Sequence, residues 1–564
     1  MAEEVKIAIV QKCPSNLNYK KLYQLNEVDV YNLSDTKVSR LLKRDVTLNI
    51  GVTFIPEDYD YVILVGSEAL KMFTKATAVT DYTGRVAPSK VEGDTKFIAS
   101  ISPAMLTFKP ELKPVFTETV NNIHKVISKQ EIEEKDGEYE YFTEAAPVVS
   151  YFTKLLNSEE VQVIALDSET TALACRDGYM LGISVSHKIR QGIYIDADAM
   201  DTECADLLQQ LVDSKRVVFH NAKFDMHFFK YHLGTEFEGR DIHDTMIIHY
   251  LLDERQGTHG LKSLTMRYGT LGDYDRELDE FKREYCATHK IPQGSFTYDL
   301  IPWDIIKIYA AKDTDATLEL YYKFYPILTK NQKLLNCYYD LMLPALHFLT
   351  RMEDRGVPIS RDRLIYAKTL LTRELEELRE ELYTYDVVHD LERTNGKEFN
   401  PASRIQLRSL LFDHLGLEPT GKLTATGAIS TDAEVLGELA EKYPIPKIIL
   451  DTRKKSKLKN TYIDKLLPVI DLDNRVRTGF NLTTTTSGRL SSSGKFNMQQ
   501  LPRDNPIIKG CVKAPLGYKI VASDLTTAEV YYAAVLSGDK VLQQVFINMN
   551  KDPKKYPDLL QSPY

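Results

Sequence analysis

The sequence predicts a multidomain α/β protein, with a small α/β domain first, then a mixed sheet flanked by helices, a long helical region and a final return of strand signals. Three observations predict it. A chain of 564 residues is longer than one hydrophobic core supports, and about 150 residues per domain gives three or four. Strand-like apolar runs alternate with helical or polar stretches through the first half, the pattern of layered α/β folds. From 338 to about 470, apolar residues recur at helical spacing beside charged faces such as LTRELEELREELYTYD.

The elements follow in order. Residues 1–128 carry the runs VKIAIV, DYVILVG and KFIASIS and form the small α/β domain. The segment KQEIEEKDGEYEYF is charged and poor in apolar residues, which sets a linker at 129–145. A domain at 146–327 then reads as strand (161–166), hairpin (179–196, turning at IRQG), helix (201–213), strand (216–220), helix (222–232) and a helix-rich remainder. Residues 338–475 are helical, and 476–564 hold the strand-like stretches RVRTGFNLTTTT and KIVASDLTT. The sequence shows neither an internal repeat nor a low-complexity segment.

Composition excludes several classes. A hydrophobic fraction of 43% is ordinary for folded domains. The six cysteines, at 13, 175, 204, 286, 337 and 511, form no CxxC pair, which argues for reduced thiols rather than a zinc ribbon or disulfide framework. The start MAEEVKIAIV lacks the basic and apolar regions of a signal peptide, and no window reaches the run of about 18 apolar residues a membrane helix needs. The expectation is a soluble chain of a cytoplasmic compartment with no membrane partner. A net charge of −9 weighs against general phosphate binding, so local charge must decide.

The chemistry begins at VQVIALDSETTAL, where an apolar run ends in Asp167 and Glu169. Side chains two apart on a strand share a face, so these carboxylates repel unless something positive lies between them. In FHNAKFDMHFF, Asn221 follows a strand and Asp225 stands one turn into the next helix. In IKIYAAKDTDATLEL, Tyr309 and Asp313 are four apart and share a helix face. Four ionised carboxylates crowded in a cleft would be unstable, since each like-charge pair at about 4 Å costs several kcal/mol at an effective dielectric near 20. Two divalent cations neutralise them, and an all-oxygen set suits Mg²⁺ or Mn²⁺ rather than zinc. Such a pair activates a water and stabilises the leaving oxygen in phosphodiester cleavage. Asp315 turns about 200° away from Asp313 on a helix. His243 and His249 have no partner at zinc spacing and are expected to be structural, with Asp244 a supporting group.

The ordered set DSE, Asn-x3-Asp and Tyr-x3-Asp resembles the three motifs of the DEDDy 3′→5′ exonucleases, which have a ribonuclease-H-like fold. The resemblance implies that Asp167, Glu169, Asp225 and Asp313 hold two metal ions and that Tyr309 orients the attacking water.

The second half resembles the thumb and early palm of family A DNA polymerases of bacteriophage type. LMLPALHFLTRMEDRGVPISRDRL, EFNPASRIQLRSLLFDHLGL and STDAEVLGELAEKYPIPKIILDTRKKSKLKNTYIDKL match that family in order and spacing. The resemblance implies that Arg453, Lys454, Lys455, Lys457 and Lys459 grip duplex phosphates at the thumb, a sequence-independent contact. TTTTSGRLSSSGKFNMQQLP is similar to the family segment TxxGRLSS…NxQNxP, placing Arg489, Asn497, Gln499 and Gln500 at the minor groove of the primer terminus. KIVASDLTTAEVYYAAVLSGD resembles polymerase motif A, making Asp524 a metal ligand on a strand and Glu529 the group that excludes a ribose 2′-OH. Where the family has DYSQIELR this chain has DLTTAEVY.

Only 40 residues follow Asp524, whereas the family continues through fingers and a late His-Asp motif. VVHDLE, which mimics that motif, precedes motif A in a helical region. The chain is therefore expected to trim DNA but not to synthesise it unaided, needing a second polymerase chain or a missing half before dNTPs are used. Its partners are expected to be single-stranded 3′ ends and primer–template duplex, in the host cytoplasm if phage-encoded. Alternatives are a stand-alone DEDDy exonuclease acting on RNA and a non-catalytic primer–template clamp of a split polymerase. Residues 1–128 faintly resemble uracil-DNA-glycosylase-like domains, without a placed catalytic acid, and are expected to be an accessory domain.

Overall fold

The computed structural model describes residues 5–12, 17–33, 54–76, 78–79, 82–128, 137–424, 427–502, 505–525 and 527–551. The chain divides into two compact units, one from 1–355 with 478–494, the other from 356–477 with 495–564.

In the first unit, β1 (Ile7–Gln11), β2 (Asp29–Asn32), β3 (Tyr61–Val65), β4 (Val86–Ala87) and β5 (Lys96–Ser100) form a sheet in the order β2-β1-β3-β5-β4. All pairs are parallel except β4 with β5. β3 and, up to Gln11, β1 are apolar, and both are buried throughout, as parallel strands covered on both faces require. Alternate residues feed two cores: Ala8, Val10, Val62 and Leu64 enter one with Phe73, while Ile7, Ile9 and Ile63 enter the other with Tyr23 and Ile123.

The second sheet has the order β11-β10-β7-β8-β9-β6. Its strands are β6 (Glu138–Phe142), β7 (Val163–Thr170), β8 (Met180–Lys188), β9 (Gln191–Asp196), β10 (Arg216–Phe219) and β11 (Ile242–Asp244). β7–β8 and β8–β9 are antiparallel, while β6–β9, β7–β10 and β10–β11 are parallel. Three sequence expectations are corrected. β7 runs on through both carboxylates to Thr170, because Asp167 and Glu169 pair with Ser184 and Gly182 of β8. Residues 138–142, expected as linker, form edge strand β6, whose exposed side explains its charges. The helix expected at 222–232 is α-helical only over Ala222–Phe228 and widens into a π-turn over Phe229–Leu233.

Helices α1 (Ala145–Asn157) and α2 (Thr202–Ser214) supply Phe152 and Leu208 to the core, beside Ile164, Leu166, Val217 and Phe219. The helix that carries Tyr309 and Asp313, here α7 (Trp303–Leu328), packs along β7, β8 and β9. Its approach is close enough to need a glycine: a Cβ on Gly192 of β9 would stand 2.3 Å from the Ala311 carbonyl oxygen. The helix backbone therefore seats directly on the strand, fixing the height of Tyr309 and Asp313 above β7.

The second unit is mainly helical, with α9 (Arg361–Leu382), α10 (Asp386–Asn395), α11 (Ala433–Ala440) and α12 (Pro444–Lys457) around two leucine- and isoleucine-rich cores. The predicted strand KIVASDLTT does not form among the described residues. Leu516, Tyr518, Val521 and Leu525 are instead 102%, 74%, 89% and 76% exposed. A strand needs a neighbour for its backbone groups, and no described segment pairs there. Among the described residues no helix is long and apolar enough to cross a membrane, and no disulfide forms.

Candidate active site

Three elements deliver the acidic cage. Strand alternation puts Asp167 and Glu169 on one face of β7, and α7 lays Asp313 against them. One carboxylate oxygen from each of the three lies within 4.8 Å of the others. Asp225 enters from α3 (Ala222–Phe228), where its Oδ1 accepts hydrogen bonds from the Ser168 N–H at 3.0 Å and the Ser168 hydroxyl at 2.7 Å. The residue between the two predicted ligands thus ties the fourth acid to the strand, a bond that sequence spacing alone does not reveal.

α3 starts from an unusual corner. Asn221, at its N-cap, is left-handed with φ +69°, a conformation asparagine tolerates better than most residues. Its N–H and that of Ala222 donate to Asp244, which also caps α4 (Thr245–Leu252) through Met246 and Ile247. The supporting group anticipated at Asp244 is a two-helix brace that places the start of α3, and with it Asp225.

Burial dominates the electrostatics. Desolvation raises the carboxyl pKa values of Asp167, Glu169 and Asp313 well above the usual range, and the acids raise one another further. Asp225 is pushed up to about 8 by burial, against the pull of its two Ser168 bonds. Glu169 Oε1 is buried without a hydrogen-bond partner. Three acids whose oxygens are held together, one of them carrying a buried unpartnered oxygen, fit a hard divalent cation.

A pH dependence follows. A carboxyl whose folded pKa is raised binds its proton more tightly in the folded chain, so its stabilisation is full below the ordinary carboxylate value and lost as pH rises through about 8 for Asp225. The metal-free protein is expected to lose thermal stability from pH 6 to 8.5. Magnesium should raise the unfolding temperature more at the higher pH, where it no longer displaces protons. Paired melts with magnesium and with chelator check this, and an equal or smaller increment at pH 8.5 contradicts it.

Aromatic hydroxyls wall the cage. Tyr309, one turn before Asp313, lies within hydrogen-bonding reach of it and of Tyr298. Tyr274, between α5 (Leu261–Tyr268) and α6 (Arg276–His289), donates its hydroxyl to Asp313 Oδ1. Its ring stacks on Tyr309 at a centroid distance of 6.3 Å and an interplanar angle of 22°. Burial and Asp313 raise the Tyr274 and Tyr309 pKa values well above 10, so both hydroxyls stay protonated. Sequence reasoning missed Tyr274 and Tyr298; the only signal was a tyrosine set among acids in GDYDRE.

The other sequence-singled residues fall elsewhere. Asp315 is buried against Tyr139 and the Arg190 N–H, away from the cage. His243 pairs with Asp241 and Tyr338, and His249 with His259, in structural roles. In α12 and its continuation, Arg453 donates to the Pro401 and Thr431 carbonyls, Lys455 pairs with Glu374 and Lys459 with Asp464, while Lys454 and Lys457 are exposed. Arg489 is exposed in the first unit, on the loop between β12 (Gly479–Asn481) and β13 (Ser491–Ser493). Asn497, Gln499 and Gln500 belong to the second unit, where Asn497 caps a short turn at the Gln499 N–H. Asp524 is exposed, and Glu529 is exposed in the first turn of α15 (Ala528–Ser537), which follows α8 (Leu343–Arg355) and α9–α12 with the short helices α13 (Asp464–Leu466) and α14 (Pro506–Lys509) between.

This fold and its acidic cage define an exonuclease-type enzyme domain joined to a second, mainly helical unit. The 3′-5′ exonuclease family pattern matches residues 139–329, and that of DNA polymerase family A matches 368–555. The chain is 55% identical over 564 aligned positions to the DNA polymerase of Escherichia phage T5, across 98% of this chain and 66% of the phage protein. It is 30% identical to DNA polymerase I of Pseudomonas aeruginosa over 431 positions, 72% of this chain and 44% of that protein. The POL domain of Pol1 from M. smegmatis, solved in complex with DNA primer-template and dNTP, superimposes with a TM-score of 0.54 at 23% identity, over 72% of this chain and 63% of that one. The chain belongs to the family A DNA polymerases. It spans just under two thirds of the phage T5 protein and under half of the Pseudomonas one.

Proposed function

We propose that residues 146–327 are a proofreading 3′→5′ exonuclease that removes nucleoside 5′-monophosphates from frayed, single-stranded DNA ends. The observation that carries this is the convergence of Asp167, Glu169 and Asp313 to within 4.8 Å from two stretches about 150 residues apart in the chain. Asp167, Glu169, Asp225 and Asp313 would hold two magnesium-type ions, which supply the charge that stabilises the attacking and leaving oxygens of phosphodiester hydrolysis. Tyr309 orients the water that attacks the terminal phosphorus. The P–O3′ bond breaks, the 3′-oxygen takes a proton from solvent, and the water's proton leaves to solvent. Ser168 holds Asp225 to the strand while this happens, and Asn221, exposed at the corner, is placed to meet the strand end.

In the same reading 1–128 is an accessory domain, 338–475 a thumb and 476–564 the start of a palm. Exposed Lys454 and Lys457 meet duplex phosphates, and Arg489, Asn497, Gln499 and Gln500 the primer terminus. Polymerisation with dNTPs, with Asp524 as one metal ligand and Glu529 near the sugar, is proposed only where the family's fingers and late palm are supplied, a reading supported by the family match. The test is digestion of matched 5′-labelled DNA and RNA strands, with magnesium or chelator. Expected is stepwise shortening of DNA from the 3′ end that needs metal; no digestion, or faster digestion of RNA, rejects the reading.

A further inference from the structure

We propose that Tyr274 is a positioning residue of the acidic cage: its hydroxyl fixes the Asp313 carboxylate, and the N-terminal domain holds Tyr274 in place through Tyr82 and Asp273. The inference rests on the exonuclease reading above and gives the first domain a part in it. With Oδ1 bonded to Tyr274, the Asp313 carboxylate cannot rotate freely about its Cβ–Cγ bond, and its orientation toward Asp167 and Glu169 is set before any ion arrives. Groups of this kind, bonded to a metal ligand, affect ion binding by about 10–100-fold when lost.

Tyr274 needs holding because it lies in a short connection, not in a helix or strand. Its two neighbours do this. Asp273 accepts a hydrogen bond from the Tyr82 hydroxyl of the N-terminal domain at 2.6 Å. Lys262 of α5 reaches Asp273 at 3.5 Å, Asp275 at 3.1 Å and Asp279 at 2.8 Å, binding the connection to the helices on either side. The same face of the N-terminal domain is tied down by Lys75 to Glu280, by Glu118 to Arg267 and by the Lys75 carbonyl to Arg283. A chain of contacts thus runs from Tyr82 through Asp273 and Tyr274 to Asp313.

The experiment measures Mn²⁺ binding to the full chain, without DNA, by loss of the free-ion electron paramagnetic resonance signal, together with metal-free thermal melts. The parent, Tyr274→Phe, Tyr82→Phe and Asp313→Ala are compared. Expected is about tenfold weaker Mn²⁺ binding in Tyr274→Phe at an unchanged melting temperature, and a smaller loss, about threefold, in Tyr82→Phe, which lies outside the cage. Hydrolysis of the p-nitrophenyl ester of thymidine 5′-monophosphate should need correspondingly more magnesium, with kcat recovering at saturation. Parent-level Mn²⁺ binding in Tyr274→Phe, with binding lost in Asp313→Ala, overturns the inference and leaves the cage intact. If the parent itself binds no Mn²⁺ through Asp313, the inference falls together with the exonuclease reading. Should Tyr274→Phe fail to fold, Tyr82→Phe decides, and parent-level binding there overturns the proposed hold.

Discussion

The double substitution Asp167→Ala with Glu169→Ala is expected to reduce magnesium-dependent 3′ digestion by at least about a thousandfold while the protein stays folded. Loss of one group that merely supports a metal ligand costs about 10–100-fold, and here two ligands go at once. The fold should tolerate it for an electrostatic reason. Both carboxyls have pKa values raised by burial and by neighbouring acids, so the metal-free folded chain carries them under strain when they ionise. Removing them lifts that repulsion, and the metal-free melting temperature at pH 8 should hold or rise. Gel assay of a 5′-labelled strand, beside a thermal melt, separates the two effects. Digestion at the parent rate would reject these residues as the centre of the site; lost digestion with a collapsed melt would reduce the result to misfolding.

That result would test the part of the site most legible in the sequence. Alternation along a strand and the four-residue repeat of a helix place Asp167 with Glu169 and Tyr309 with Asp313 before any tertiary information is used. The apolar runs of β1, β3 and β5 were equally plain, since parallel strands buried on both faces leave little freedom of composition. What stayed hidden depends on tertiary paths. Tyr274 is 39 residues from Asp313, in a connection whose course no periodicity specifies. Ser168 looks like a spacer until α3 brings Asp225 above it. The edge strand β6 reads as a linker because its charges face outward. The basic run 453–459 reads as a phosphate grip, yet Arg453, Lys455 and Lys459 bond within their own unit, leaving Lys454 and Lys457 as its exposed cations. The KIVASDLTT stretch has strand composition without a described neighbour to pair with, and composition alone does not make a sheet.

The largest stability effect is expected from Asp244→Ala. This carboxylate is 2% exposed and accepts four backbone N–H groups, from Met246 at 2.8 Å, Asn221 at 3.2 Å and Ile247 at 3.3 Å on Oδ1, and from Ala222 at 2.8 Å on Oδ2. Alanine leaves all four donors with no acceptor in a site closed to water, which costs about 3–5 kcal/mol. A fall of about 10 °C in the melting temperature follows from the usual 2–4 °C per kcal/mol for a domain of this size. Activity should fall further than stability alone requires. Asn221 adopts a left-handed backbone at φ +69°, and its bond and that of Ala222 to Asp244 hold that corner; once they are gone, α3 can begin elsewhere and Asp225 leaves Ser168. Exonuclease rates well below the melting transition would therefore drop even where circular dichroism reports a native fold. Asp244→Asn keeps one acceptor and should recover part of both losses, because geometry rather than charge is what the corner needs. If Asp244→Ala instead melts like the parent and digests like it, the brace carries neither helix, and the position of Asp225 must be set by Ser168 and the packing of α3 alone.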